Sequence, residues 1–306
     1  MSATPGAIGE RAGGPAEPGP DRPPLPTHAE TAMGTVFSLT LVPGDLPGPE
    51  LGSAVAAACA TLHHADAVFS TWDAQSPVSR LRHGEAALGD LPPEVAEVMA
   101  ECRAARQASG GWFDPWAMPG GFDPTGLAKG WAVDRARDVL RRSGLAGAMV
   151  NGGGDLAAFG APAPAQRWRV GIRHPWCARS LAGIVEVGAA VATSGCYERG
   201  AHLIDPVTGL ASGRAASATV TGPSLAMADA LATAVAVGGD EALAVVAGIG
   251  GYAAYLIRPD GSECATAGFA FVSWPPPPGA DAGPEAHAGD RNHTGDNHTG
   301  DVGNRL

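Results

Sequence analysis

Residues 122–140 read FDPTGLAKGWAVDRARDVL. Asp123-Pro124-Thr125-Gly126 is an acidic turn that runs into Lys129-Gly130 and an amphipathic helix. Trp131, Val133, Ala136, Val139 and Leu140 recur at helical spacing, with Arg135, Arg137, Asp138 and Arg141 between them. Gly144 sits where a C′ glycine ends a helix. The start of the helix leaves backbone N–H groups free beside a lysine, among glycines that permit close approach. That combination suits a phosphate, and it equally suits an ordinary capped helix after a turn.

Working outward, the pattern is one of short strands interrupted by helices. Upstream, Val36–Val42 alternates as a strand, and two helices follow at about 51–68 and 93–109, the second stopped by Gly110-Gly111. Downstream, Ala146–Val150 is a short buried strand. Asn151-Gly152-Gly153-Gly154-Asp155 is a turn open to close approach, and Leu156–Phe159 carries the strand on. Strands are expected at 168–173, 182–187, 190–193, 202–209, 216–221 and 252–257, with a closing strand near 269–272. Helices are expected at 225–237 and 240–246. The order favours a mixed α/β or α+β fold, largely antiparallel sheets with helices on one side, over a doubly wound parallel sheet.

The 306 residues are 45% hydrophobic, enough for a sizeable core. Pro/Gly/Ala-rich residues 1–27 and low-complexity residues 275–306, with a tandem NHTGD, read as disordered tails around one domain at 28–274. A net charge of −11 and no basic run argue against a nucleic-acid binder. An acidic chain that holds an anionic nucleotide needs local cations or helix N-termini. Five cysteines without a C-x-x-C read as reduced thiols, and the first 30 residues read as neither signal peptide nor membrane anchor. Both point to a cytoplasmic protein.

Candidate chemistry is sparse. Asp229 and Thr233 stand at i and i+4 on an otherwise apolar helix, so they share a face. Their oxygens are of the hard type that Mg²⁺ prefers. An Asp near a helix start with a back-bonded Thr explains them as well. His202 is a candidate general base near a glycine turn. Trp72 and the Trp112-Phe113 pair offer flat apolar surfaces, for which core packing is the default. Gly152-Gly153-Gly154 is not a G-x-G-x-x-G fingerprint, and no phosphate-loop or G-x-S-x-G motif occurs.

Taken together, the motifs fall in a known order. They are Met33-Gly34-Thr35, Phe69-Ser70-Thr71-Trp72, Phe113-Asp114-Pro115, Asp123 to Asp134, Asn151 to Asp155, Trp168 to Arg173, Thr193-Ser194-Gly195, His202 to Gly209 and Ala228 to Thr233. This resembles the ApbE family of FAD:protein FMN transferases over about residues 30–272. The resemblance implies a single catalytic domain of ApbE/T-fold-like architecture. It implies Mg²⁺-dependent transfer of FMN from FAD to a Thr or Ser hydroxyl of an acceptor flavoprotein, with release of AMP. Asp229, Thr233 and the Gly126 carbonyl would then be the metal ligands. Met33, Trp72, Trp112, Phe113, Asp114, Asp123 and Lys129 would line the FAD site, and His202 would be the base. Acceptors would carry an [ST]-G-A-[ST]-like site, which this chain lacks. Trp72 stands where the family usually has Tyr, and the segment from Phe113 to Asp123 is shorter than in many members. The alternatives are a Mg²⁺-dependent FAD pyrophosphatase giving FMN and AMP, and a non-catalytic FAD-binding or delivery protein.

Overall fold

The computed structural model describes residues 24–195 and 203–273. Eight strands form one antiparallel sheet in the order β1 (Thr27–Ala32), β2 (Thr35–Val42), β3 (Gly147–Gly152), β4 (Asp155–Phe159), β7 (Ala190–Ser194), β8 (Ser217–Gly222), β9 (Ala253–Ile257), β10 (Glu263–Ala265). Three more, β11 (Phe271–Ser273), β6 (Cys177–Val187) and β5 (Trp168–His174), form a second sheet. The helices are α1 (Gly48–Phe69), α2 (Pro77–Arg82), α3 (Pro93–Ala108), α4 (Thr125–Arg142), α5 (Leu225–Gly238) and α6 (Asp240–Val246).

Period-2 alternation puts each central strand in two cores at once. In β9, Ala254 and Leu256 enter the core shared with the helices, while Ala253, Tyr255 and Ile257 enter the core beneath the small sheet. The large sheet is therefore covered on one face by helices and on the other by the small sheet. Antiparallel pairing and helices on one side are as the sequence expects. The three-stranded cover was not anticipated; the strand at 271–273 joins β6 there and does not close the main sheet.

Helix α5 is buried on every side, from Leu225 to Gly238 apart from Met227 and Thr233. It lies between α4 and strands β7 and β8. Its alanines let those neighbours close in. Gly130 of α4 is where the two helices meet: a Cβ there would stand 2.6 Å from the Leu225 carbonyl oxygen. Four residues further along α4, Asp134 caps the start of α5. Its Oδ2 accepts from the backbone N–H of Leu225 at 2.7 Å and of Ala226 at 3.1 Å, and from the Ser224 hydroxyl at 3.1 Å. The deciding stretch thus both forms a helix and anchors the most buried one.

The expected helices and most strands are present to within a few residues. Strand β1 and the short β10 and α2 were not expected. The run at 156–159 is a separate strand hairpinned back on β3, because Gly153 and Gly154 adopt positive φ (66° and 106°) and reverse the chain. The strand expected at 202–209 is corrected: its described part holds a single bridge, Ile204 to Ala211. Asp205 draws that segment into a turn, its Oδ1 accepting from Val207 N–H at 2.8 Å and Thr208 N–H at 3.3 Å. Residues 1–23 and 274–306, and with them most of both expected tails, lie outside the described residues, as do Cys196 and His202. Among the described residues no helix is long and apolar enough to cross a membrane.

Candidate active site

The site lies at the end of the sheet where α4 begins. Three pieces of backbone bring it together. The β3–β4 hairpin turns at Gly153-Gly154 and places Asp155 at the first position of β4. Strand β7 runs antiparallel to β4 and ends at Thr193-Ser194 beside it. Above them, α4 starts at Thr125 and α5 crosses, presenting Asp229 and Thr233.

Asp155 and Asp229 are each 4% exposed. A carboxylate in an apolar helix such as α5 needs a partner, since burying an unpaired charge costs several kcal/mol in this setting. Lys129 supplies it. Its Nζ forms an ion pair with Asp155 and lies 3.2 Å from Asp229 Oδ2, donating to that oxygen. Asp155 also accepts from the Thr193 backbone N–H at 2.8 Å. The Ser194 and Thr233 hydroxyls are 3.4 Å apart. The backbone at Gly126 lies against the same point: a Cβ there would be 3.5 Å from Thr233 Oγ1 and 3.2 Å from the Phe113 ring.

These groups line one cavity of about 310 Å³. Its lining includes Trp112, Phe113, Asp114, Pro115 and Met118, the carboxylates and hydroxyls of Asp155, Thr193, Asp229 and Thr233, and Leu203-Ile204. Asp114 is fixed in the wall: Arg106 donates to its Oδ2 at 2.6 Å and the Trp116 N–H to its Oδ1 at 3.0 Å. Asp123 accepts from Thr125 N–H and hydroxyl at 3.0 and 2.7 Å, which fixes the entry to α4. The cavity lining combines aromatic and thioether surface with hard oxygen donors around a lysine. That is a shape for a flat ring system joined to an anionic group.

A family model, the ApbE family, matches residues 33–121 and 119–256 of the chain. The chain belongs to the ApbE family. Curated relatives named FAD:protein FMN transferase include one from Vibrio cholerae, 38% identical over 130 residues, which are 39% of this chain and 39% of that protein. Another, from Rhodobacter capsulatus, is 37% identical over 158 residues, 47% of this chain and 29% of that protein. The chain thus spans well under half the length of these two curated relatives. Among solved structures, the flavin transferase ApbE from Vibrio cholerae superposes with a TM-score of 0.68 at 23% identity, over 80% of this chain and 98% of that one. The ApbE protein of Thermotoga maritima gives 0.69 at 21%, over 79% and 97%. These two likenesses show the fold.

Within this ApbE-family chain the structure gathers Trp112, Phe113, Asp114, Asp123, Gly126, Lys129, Asp229 and Thr233 around the one cavity. Met33 and Trp72 do not line it. Met33 sits in the β1–β2 turn at φ 49°, beside the site rather than in its wall: Thr35, the first residue of β2, would meet a Cβ on Gly153, which does line it. Trp72 is 97% exposed in a loop after α1. His202 lies outside the described residues, though the next two residues reach the cavity. Sequence reading passed over Asp155, Thr193 and Ser194. The available signal was the Asn151 to Asp155 motif itself; its aspartate looks like an ordinary turn residue until the structure shows it buried.

Proposed function

We propose that the protein transfers FMN from FAD to a Thr or Ser hydroxyl of an acceptor protein and releases AMP, with Mg²⁺ required. The observation that carries this reading is the pairing of two buried carboxylates, Asp155 and Asp229, with Lys129 and two hydroxyls in a cavity that Trp112 and Phe113 also line. The curated relatives named FAD:protein FMN transferase support the coarser part of this reading, transfer of FMN from FAD to a protein.

The donor set fits a hard divalent cation: carboxylate, hydroxyl and backbone oxygens, with no cysteine or histidine among the described lining residues. Asp229, Thr233 and the Gly126 carbonyl would hold Mg²⁺, with Asp155 beside them. The ion would supply charge neutralisation at the pyrophosphate. Lys129 holds the two carboxylates close together and offers a second cation to an incoming phosphate. Trp112, Phe113 and Met118 would seat the flavin ring, and Asp114, braced by Arg106, fixes that wall. In the transfer, the acceptor oxygen bonds to the phosphorus of the FMN half. The bond from that phosphorus to the bridging oxygen breaks, and AMP leaves with that oxygen. The acceptor proton passes to a base, for which His202 is the candidate. Leu203 and Ile204 at the cavity support that assignment. A cytoplasmic location belongs to the same proposal, and free thiols at Cys59, Cys102, Cys177 and Cys264 support it.

The test is a mass spectrum of a short acceptor carrying an S-G-A-T site, incubated with the protein, FAD and Mg²⁺. A gain of FMN less one water is expected. Free FMN and AMP with an unmodified acceptor would replace the transferase by a pyrophosphatase, and intact FAD would point to a carrier.

A further inference from the structure

Strand β1 is an edge of the large sheet, and the alternation of its burial turns His28, Glu30 and Ala32 inward. An edge strand that packs against a helix ordinarily turns apolar residues to it. Here two of the three are polar and ionisable. The facing helix, α1, is apolar at Ala54, Ala58, Leu62 and Ala65. Toward β1 it carries Cys59 and, one turn on, His63, an i, i+4 pair on one face.

Three of these side chains, His28, Glu30 and Cys59, converge, and His63 reaches Glu30 from the rim. Glu30 lies between the two histidines, Oε2 at 3.4 Å from His28 Nε2 and Oε1 at 3.1 Å from His63 Nε2. The donor atoms of His28, Glu30 and Cys59 all lie within 4.8 Å of one another. Cys59 is buried, while the imidazoles stand at the rim with side chains 41% and 52% exposed. The cluster opens into a groove between β1 and α1. None of the four lines the candidate active site. His28 and Glu30 also precede residue 33, where the family match begins.

We propose that His28, Glu30, Cys59 and His63 form a second metal site, for one borderline-soft divalent ion such as Zn²⁺, which clips the edge strand β1 to helix α1. Two imidazoles, a thiolate and a carboxylate are a zinc-type donor set, and Mg²⁺ would not select them. Bonds of about 2.0–2.3 Å in a tetrahedron put donor atoms roughly 3.3–3.7 Å apart. The two His–Glu separations are close to that, each to a different Glu30 oxygen, and His63 has to swing in to join the other three donors. Rotation of the half-exposed imidazoles is the main adjustment required. The thiolate and carboxylate together neutralise the ion, and the thiol proton is released on binding.

The test uses the full chain, stripped with chelator and titrated with Co²⁺ as a spectroscopic stand-in for Zn²⁺. One equivalent should give the intense visible bands of tetrahedral Co²⁺ and a near-ultraviolet thiolate charge-transfer band. Zn²⁺ should bleach both. Cys59→Ser should remove the charge-transfer band, His63→Ala should weaken binding at least about tenfold, and Asp229→Ala should leave the bands intact. A thiolate band that survives Cys59→Ser belongs to another cysteine and overturns the proposal, as does failure of the wild type to develop one. Zn²⁺ should also raise the Tm of the wild type by more than that of His63→Ala. No rise in the wild type, or an equal rise in both, would overturn it.

Discussion

Asp134 and Asp229 are two carboxylates in one helix–helix interface, and they are held by different means. Asp134, on α4, meets fixed donors: the first N–H groups of α5, the Ser224 hydroxyl, and Arg137 at 2.8 Å one turn along its own helix. Asp229, on α5, meets the end of a long lysine side chain and faces a cavity. The first arrangement cannot change partners without unwinding a helix start. The second can exchange an ammonium group for another cation by rotating a side chain. The same group, partly buried at 134 and fully buried at 229, therefore makes a structural joint in one place and a candidate binding site in the other. What separates them is whether the donors are backbone or a movable side chain.

The largest expected effect removes the shared cation. Lys129→Met leaves Asp155 and Asp229 facing each other and should cost about 3–5 kcal/mol in urea unfolding. Added Mg²⁺ should recover part of that loss. If the variant were as stable as the wild type without Mg²⁺, the two carboxylates would not be held by the lysine and the contrast would collapse. Next, Asp229→Ala should lower flavin transfer at least about 100-fold, while Asp134→Asn, which keeps an acceptor oxygen at the cap, should leave transfer near the wild-type rate. Equal losses in the two would mean that both ends of the interface serve the reaction.

Gly130→Ala tests the crossing that both carboxylates share. Its Cβ would press on the Leu225 carbonyl, and a stability loss of about 1–3 kcal/mol is expected. An unchanged unfolding curve would show that α4 and α5 can part without harm. The smallest effect is one of pH. Burial raises the Asp134 carboxyl pKa, against the lowering effect of Arg137 and the α5 cap donors. The folded state then holds the proton more tightly than the unfolded chain. Stability from this group is greatest in acid and falls as pH rises from the ordinary carboxylate range through the raised value. Profiles of Tm against pH should show that decline in the wild type and a weaker one in Asp134→Asn. Parallel profiles would assign the decline elsewhere, with Glu101, also raised by burial, as the first alternative.

Much of this molecule could be read without coordinates where one residue's neighbours in the chain fix its state. The helix at 122–140 was legible because its period, its glycine stop and its charged face are all local. So was the pair Asp229 and Thr233, because i, i+4 spacing decides a shared face. The edge strand β1 was not legible, since its inward positions carry His28 and Glu30 and break the apolar alternation. The segment at 203–209 was misread because the apolar pattern of a strand was overruled by Asp205 folding its side chain onto the next N–H groups.

The sequence by itself determined the antiparallel α+β character, the helices and the family motifs, because each depends on spacing within a few residues. Only the tertiary structure decided that Asp155, 26 positions from Lys129 in the chain, closes onto the same ammonium group as Asp229. Only it showed that Trp72 stands out in solvent while Trp112 lines the cavity. Charge pairing and exposure depend on which surfaces the packed sheet and helices bring face to face, and no local pattern encodes that.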